Sequence, residues 1–341
     1  MFKFNLQHFA AGDNVHTTSG MASNSGGNIA PYGDGGGLSA EMKTYYSDYL
    51  IDMAEPKLVH DQFGQKQPIP KNNGKVIEFR KYDPLPKALT PLTEGVTPDG
   101  QSLNVKTVTA EVKQYGGYIE LSDVLMLAAI DNNLVRATKL LGGQAGRTLD
   151  TIVREVLNGG TNVQYAEGQV ESRSALVGGQ ADGNHYLTVD AVRKAVRTLK
   201  RQNAETINGS FVGIIHPDAA YDLMSDPKWV NVKTYSDPEG IYQGEIGKIE
   251  NVRFVESSEA KIFEGEGADG VDVYSTLILG DNAYGTTELS GGGLSHIVKQ
   301  LGSAGTADPL NQRATAGWKA TKAAVRLVEP YMVRIETAAS N

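Results

Sequence analysis

One apolar stripe constrains this chain more than any other feature. Leu127, Ile130, Leu134, Ala137, Leu141, Ala145, Leu149, Ile152 and Val156 recur at steps of three and four, the spacing of a helix that buries one face. The stripe predicts about 36 residues of helix, about 54 Å at 1.5 Å per residue, where globular helices average roughly 11–12 residues. Ser122 is placed to cap its start, with Asp123 at the positive end of the helix dipole. Gly159-Gly160 marks its end. Gly142, Gly143 and Gly146 fall inside the stripe, and each costs about 1 kcal/mol relative to alanine, so a bend or break is expected among them. Such a rod can only be a spine that other elements pack on.

The sequence before the spine cannot make a core. Residues 10–38 are rich in Gly and Ser, with the Gly35-Gly36-Gly37 triplet, and such a segment cannot offset its ordering entropy by burial. Phe2, Phe4, Leu6 and Phe9 interrupt this pattern and suit a tag that docks on a neighbouring chain, the alternative being a disordered terminus with aromatics there by chance. A short helix is expected over 39–53, with Met42, Tyr45, Tyr46, Tyr49, Leu50 and Met53 at helical spacing. Between 75 and 121 lies a long hairpin pattern. Val76–Tyr82 forms one arm and Val105–Leu121 the other, with Val108, Ala110 and Val112 alternating against Thr107 and Thr109. Pro84, Pro86, Pro91 and Pro98 make the connection irregular. A two-stranded ribbon is marginal alone and needs a support, either the chain's own core or another subunit.

After the spine the pattern alternates. A helix is expected from Thr188 to Gln202, with Val192, Val196 and Leu199 inward, then a strand at 211–216 and a helix opened by Pro217-Asp218. Further strands are expected at 251–257 and 273–280, and the tail from Gly317 is β-prone and expected to return to the spine. Mixed elements of this kind give an α+β or α/β compact domain.

Composition removes several chemistries. There are no cysteines, so disulfides, thiolate metal sites and cysteine nucleophiles are excluded. No run of 18 apolar residues occurs, so no membrane-spanning helix is expected. Residues 206–304 carry a net charge of −9 where the whole chain carries −8, the reverse of the basic stripe that grips DNA phosphates. The six histidines, His8, His16, His60, His185, His216 and His296, share no i, i+3 or i, i+4 spacing, so no metal site is expected. Gly265–Gly270 fits G-x-G-x-x-G, but Val271–Tyr274 reads as strand, so it is read as a hairpin loop without a helix N-terminus for a phosphate. Gly291-Gly292-Gly293 is likewise read as a loop. His216 is read as structural, since no nucleophile motif accompanies it. Asp218, Asp222 and Asp226 fall on one helical face and are read as a solvated or intersubunit acidic surface. No catalytic, cofactor-binding or metal residue is assigned.

The order of parts then carries a resemblance. Flexible arm, projecting hairpin, spine helix, compact acidic domain and returning strand together resemble the major capsid proteins of tailed bacteriophages, the Hong Kong 97 fold. The strings MFKFNLQHFA, FVGIIHPDAAYDLMSDPKW, GEIGKIENVRFVESSEA and DPLNQRATAGWKATKAAVRL are similar to the branch of that group related to the capsid protein of phages carrying a virion RNA polymerase. The resemblance implies an α+β capsid fold with an N-terminal arm and short helix over 1–60 and an E-loop hairpin over 61–121. A P-domain with the spine helix follows over 122–186, an A-domain over 187–304 and a C-terminal return over 305–341. It implies a structural protein of the virion, made in the host bacterial cytoplasm and assembled into hexamers and pentamers around double-stranded DNA. The partners it implies are further copies of the chain, a portal and a separate scaffolding protein, with packaged DNA near but not specifically bound. Phe2, Phe4, Phe9, Arg80, Lys81, Lys87, Leu89, Leu92 and Glu94 are the expected assembly contacts. Lys87 lies in the expected loop, but no crosslinking pocket is marked, so that chemistry is not carried over. Two other classes compete. An encapsulin-like shell would hold protein cargo, and a cytosolic α/β enzyme would form a small oligomer with a pocket near His216.

Overall fold

The computed structural model describes residues 58–69, 75–82, 85–92, 94, 95, 97, 100–124, 133–166, 171–178, 185–229, 245–288, 294–303 and 308–340. The elements in chain order are β1 (Gln65–Gln67), β2 (Val76–Tyr82), β3 (Val105–Glu111), β4 (Lys113–Ser122), α1 (Asn133–Asn158), β5 (Val163–Tyr165) and α2 (Val189–Arg201). Then come β6 (Phe211–Ile215), α3 (Pro217–Ser225), β7 (Glu245–Ile249), β8 (Val252–Glu256), β9 (Ile262–Phe263) and β10 (Val273–Leu279). The last are β11 (Tyr284–Thr287), β12 (Leu294–Lys299), β13 (Arg313–Lys322), β14 (Ala324–Arg326) and β15 (Met332–Thr337). They divide into two compact units, one built on 115–145 and 294–320, the other on 56–114, 146–293 and 321–341.

The larger unit is organised by a mixed sheet in the order β5-β15-β10-β6-β8-β7, with β9 on β10. The tail strand β15 lies inside this sheet, parallel to β5 and antiparallel to β10. β6 is buried along its whole length, which is why Phe211–Ile215 reads as an unbroken apolar run. On one face α2 and α3 cover the sheet, where Val192, Val196, Leu199, Ala219 and Leu223 meet Phe211, Phe254, Ile278 and Ile335. Thr188 caps α2 by accepting the Ala191 N–H at 3.2 Å, with Asp190 in the first turn and Lys200 and Arg201 in the last. On the other face Val153 and Leu157 of α1 pack with Val212, Ile214, Leu277, Leu279 and Met332. Arg326 and Arg334 donate to the main-chain oxygens of Val156 and Asn158 at the end of α1, so the tail returns to the spine as expected.

Asn133–Asn158 of the spine form one helix, about 39 Å of rod at 1.5 Å per residue, and Leu127 and Ile130 lie outside the described residues. Ser122 ends β4, and Asp123 and Val124 directly after it are helical, so a helix starts where the sequence placed one; the Asp123 N–H donates to the Gln312 oxygen at 2.9 Å. Gly142, Gly143 and Gly146 do not interrupt the helix, since packing of one apolar face outweighs about 3 kcal/mol of summed glycine cost. The buried line also drifts. Ala137, Leu141, Ala145, Leu149, Val153 and Leu157 are buried, while Ile152 and Val156 are only half-buried, because each step of four advances about 40° around a helix of 3.6 residues per turn and carries the buried line past their side.

In the smaller unit β12, β13 and β4 form a three-stranded sheet. Trp318 donates its Nε1–H to Gln144 Oε1 at 3.0 Å, linking β13 to the first half of α1.

Two buried polar pairs have no signal in the sequence. His60 Nδ1 stands 2.7 Å from Asp150 Oδ2, with both side chains inaccessible. Lys322 Nζ donates to Asp61 Oδ1 at 2.5 Å and to the Thr287 oxygen at 2.8 Å, and the Thr286 hydroxyl donates to the same Asp61 oxygen. They fasten the 60–61 segment to α1, β11 and the end of β13.

Candidate assembly surfaces

The ribbon of β2 and β3 is antiparallel and in continuous register from Val76↔Glu111 to Tyr82↔Val105. The second arm is not one strand, as its alternation suggested. The chain breaks at Val112, whose N–H donates to the Lys75 oxygen at 2.8 Å, and β4 joins the β12-β13 sheet instead. The break also changes parity: Val108 and Ala110 face inward before it, Tyr115, Gly117, Ile119 and Leu121 after it.

The base of the ribbon lies on the chain's own body. Ile77, Phe79 and Ala110 pack with Ala323, Val325 and Leu327, and Phe79 is fully buried. Gly285 makes this approach possible, because a Cβ there would stand 2.4 Å from the Phe79 ring. Beyond Tyr82 the burial stops. Leu85, Leu89, Leu92 and Leu103 expose 54, 81, 76 and 63% of their surface, and Lys87 and Glu94 are exposed beside them. Arg80 is exposed and Lys81 half-buried. The structure thus brings Lys87, Leu89, Leu92 and Glu94 into one solvent-facing loop, with Arg80 and Lys81 at its root. Phe2, Phe4, Phe9, the helix expected over 39–53 and Gly291-Gly292-Gly293 lie outside the described residues.

Sequence reasoning missed a second set of apolar residues. In the smaller unit Tyr118, Leu140 and Leu310 expose 73, 68 and 75% of their surface. Their neighbours in sequence are ordinary strand, helix and loop residues, and only the paired structure separates inner from outer positions.

The acidic block is partly spent inside the chain. Asp222 accepts from the Ser340 N–H at 3.0 Å and from its hydroxyl. Asp226 accepts the Val189 N–H at 3.0 Å and the Lys228 N–H at 2.8 Å. Asp218 lies 3.3 Å from His216 Nδ1. The solvated or intersubunit acidic surface expected here is corrected for Asp222 and Asp226, whose carboxylates anchor the C-terminal residues and a helix entry, since half-buried main-chain donors demand acceptors, while Asp218 stays exposed. Glu264 and Asp269 remain exposed.

His216 caps α3, accepting the Asp218 N–H at 3.3 Å on Nδ1, and burial pushes its imidazolium below the usual histidine range, with Asp218 and Glu256 opposing. Tyr274, 5.1 Å away by ring centroid, is pushed up to about 12, first by burial and then by Asp218. The Gly265–Gly270 stretch is a loop with Asp269, Gly270 and Gly265 at φ +54°, +78° and +63°, followed after Val271 and Asp272 by β10. An open hollow of about 490 Å³ on this block is lined by Arg154, Glu259, Lys261, Phe263, Glu264 and Glu266 rather than by His216. Among the described residues no three His, Asp or Glu side chains are placed to hold a metal ion, and no helix is long and apolar enough to cross a membrane.

The family model described as phage capsid protein matches residues 105–333. Among solved structures, the capsid of Ralstonia phage GP4 superposes with a TM-score of 0.60 at 14% identity, covering 82% of this chain and 87% of that one. The capsid of cyanophage P-SCSP1u gives 0.58 at 14% identity over 82% and 86%. The capsid asymmetric unit of cyanophage Pam1 gives 0.57 at 15% over 79% and 86%. Among curated proteins no sequence matches this chain.

Proposed function

Since the chain belongs to the phage capsid protein family, we propose that its copies form the hexamers and pentamers of an icosahedral head that encloses double-stranded DNA. The observation that carries this reading is the loop beyond Tyr82. Four leucines stand exposed on a segment whose base is firmly packed, and a loop so placed gains its burial on a neighbouring subunit. Burying a leucine contributes about 1.5–3 kcal/mol, so four of them repeated around a shell make a substantial association energy before ordering costs are subtracted.

In this reading 1–60 is the arm, 61–121 the E-loop region, 122–186 the P-domain, 187–304 the A-domain and 305–341 the C-terminal return. Phe2, Phe4 and Phe9 anchor the arm on a neighbour, and Arg80, Lys81, Lys87, Leu89, Leu92 and Glu94 form the loop contact. A portal and a separate scaffolding protein complete the assembly in the host cytoplasm, and DNA is held by enclosure. The protein is a structural component, and its residual buried polar groups stabilise the fold.

The test is electron microscopy and sedimentation of the expressed chain with and without residues 85–103. The intact chain forms closed particles of uniform size containing nucleic acid. The deletion abolishes or weakens closure while the helical and sheet signal of the larger unit is retained. Closed particles at normal yield from the deletion would refute the role of the loop, and particles filled with protein cargo would favour an encapsulin-like container.

A further inference from the structure

The solvent face of α2 is cationic. Arg193, Arg197, Lys200 and Arg201 are exposed and recur at steps of three and four, so they stand on one side of the helix. Val192, Val196 and Leu199 seat its other side on the sheet. Arg193 is paired within the chain, with Asp190 at 3.1 Å and Glu250 at 2.6 Å. Arg197, Lys200 and Arg201 form no ion pair among the described residues. The negative end of the helix dipole accounts for Lys200 and Arg201 in the last turn, but not for a third cation, Arg197, a turn before Arg201.

The larger unit is acidic on its other side. Residues 256–272 carry six carboxylates against Lys261 alone. Arg154 and Lys261 tie this stretch to α1, which covers the opposite face of the sheet from α2. Glu266 is paired with Arg173, whereas Glu264 and Asp269 are exposed and form no ion pair among the described residues. Glu264 lines the open hollow of about 490 Å³ together with Glu259, and the cations in the same wall, Arg154 and Lys261, are held by Glu155. A cation entering from outside therefore meets carboxylates that no internal charge neutralises.

Resting on the shell reading above, we propose that Arg197, Lys200 and Arg201 of one copy dock on the 256–269 carboxylates of a second copy. The partner follows from where the charges lie. Patches on opposite faces of one body cannot neutralise each other within a copy, and two different patches that match give the head-to-tail contact that closes rings. A phosphodiester backbone would be repelled by the block of net −9 over 206–304, whereas a second copy brings that block as the attraction, which favours association and fixes its register.

Charge exchange separates a contact between copies from a role inside one. In Arg197→Glu the new carboxylate lies four residues from both Arg193 and Arg201, so the unassembled chain unfolds at the parental denaturant midpoint or above it. Its assembly in 0.1 M salt, followed by light scattering and sedimentation, falls at least tenfold, and Glu264→Lys falls likewise. Arg197→Glu combined with Glu264→Lys recovers at least threefold over either single variant. The ratio of parent to single variant shrinks in 1 M salt, where the Debye length drops from about 10 Å to about 3 Å. Assembly of Arg197→Glu at the parental rate would overturn the contact, as would a combined variant no faster than the single ones, or parallel loss of stability and assembly. Particles of normal yield that merely retain less DNA would overturn it in favour of a phosphate contact. Failure of the unmodified chain to form any shell would remove the shell reading, and the contact with it.

Discussion

Replacing Lys322 by methionine isolates the energetics of a deeply buried charge. Lys322 is 1% exposed and Asp61 3%. In the native fold Asp61 Oδ1 accepts from Lys322 Nζ at 2.5 Å and from the Thr286 hydroxyl. Methionine fills much of the alkyl stem but leaves Asp61 charged and buried with only the hydroxyl beside it. Breaking one side of a buried pair costs about 3–5 kcal/mol, whereas replacing both partners with uncharged groups is often neutral. The expected result in urea unfolding of the unassembled chain, followed by circular dichroism, is therefore a loss of about 3–5 kcal/mol for Lys322→Met. Much of that loss is recovered in Asp61→Asn/Lys322→Met. The pH dependence has a definite sign. Burial lowers the Lys322 ammonium below its ordinary value of 10.5, with Asp61 opposing, so between the lowered native value and 10.5 the unfolded chain binds more protons than the folded one. Stability from this group rises with pH across that window, and the rise is missing in Lys322→Met. A loss under 1 kcal/mol, or a double variant as unstable as the sum of the single ones, would refute the reasoning.

Gly285→Ala places a methyl 2.4 Å from the Phe79 ring, and overpacking of this kind costs about 1–3 kcal/mol; faster hydrogen exchange in β2 and β3 than in the parent is the expected readout. Leu149→Ala, at a position with no exposed surface on α1, is expected to lower the unfolding free energy by about 2–5 kcal/mol, read from the denaturant midpoint. His216 has its folded-state value lowered mainly by burial, so the unfolded chain takes up its proton first as pH falls below about 6.5. Stability falls over that range, and comparison with His216→Asn, which keeps a capping side chain, shows the slope disappearing.

Local patterns carried much of the fold into view. Thr188 with Val192, Val196 and Leu199, the run Phe211–Ile215 and the Pro217 entry of α3 are each decided within about ten residues, and the structure follows them. The break at Val112 was hidden because apolar alternation runs through it, and pairing with β2 on one side and with β13 on the other is a long-range choice. Asp150 carries no local sign of its buried pairing, since its partner His60 is 90 residues away. The separation of Asp61 from Lys322 is 261 residues. The loop beyond Tyr82 was legible as prolines between two arms, but its split into a packed base and an exposed end needed Phe79 to be seen against Gly285.

The central claim is that the exposed leucines of 85–103 are covered by neighbouring copies. Hydrogen exchange at those residues, measured on the unassembled chain and on purified particles, tests it most directly. The account predicts fast exchange in the free chain and protection of at least tenfold in particles, while β6 and β10 are protected equally in both. Equal exchange of 85–103 in closed particles and free chains would contradict it.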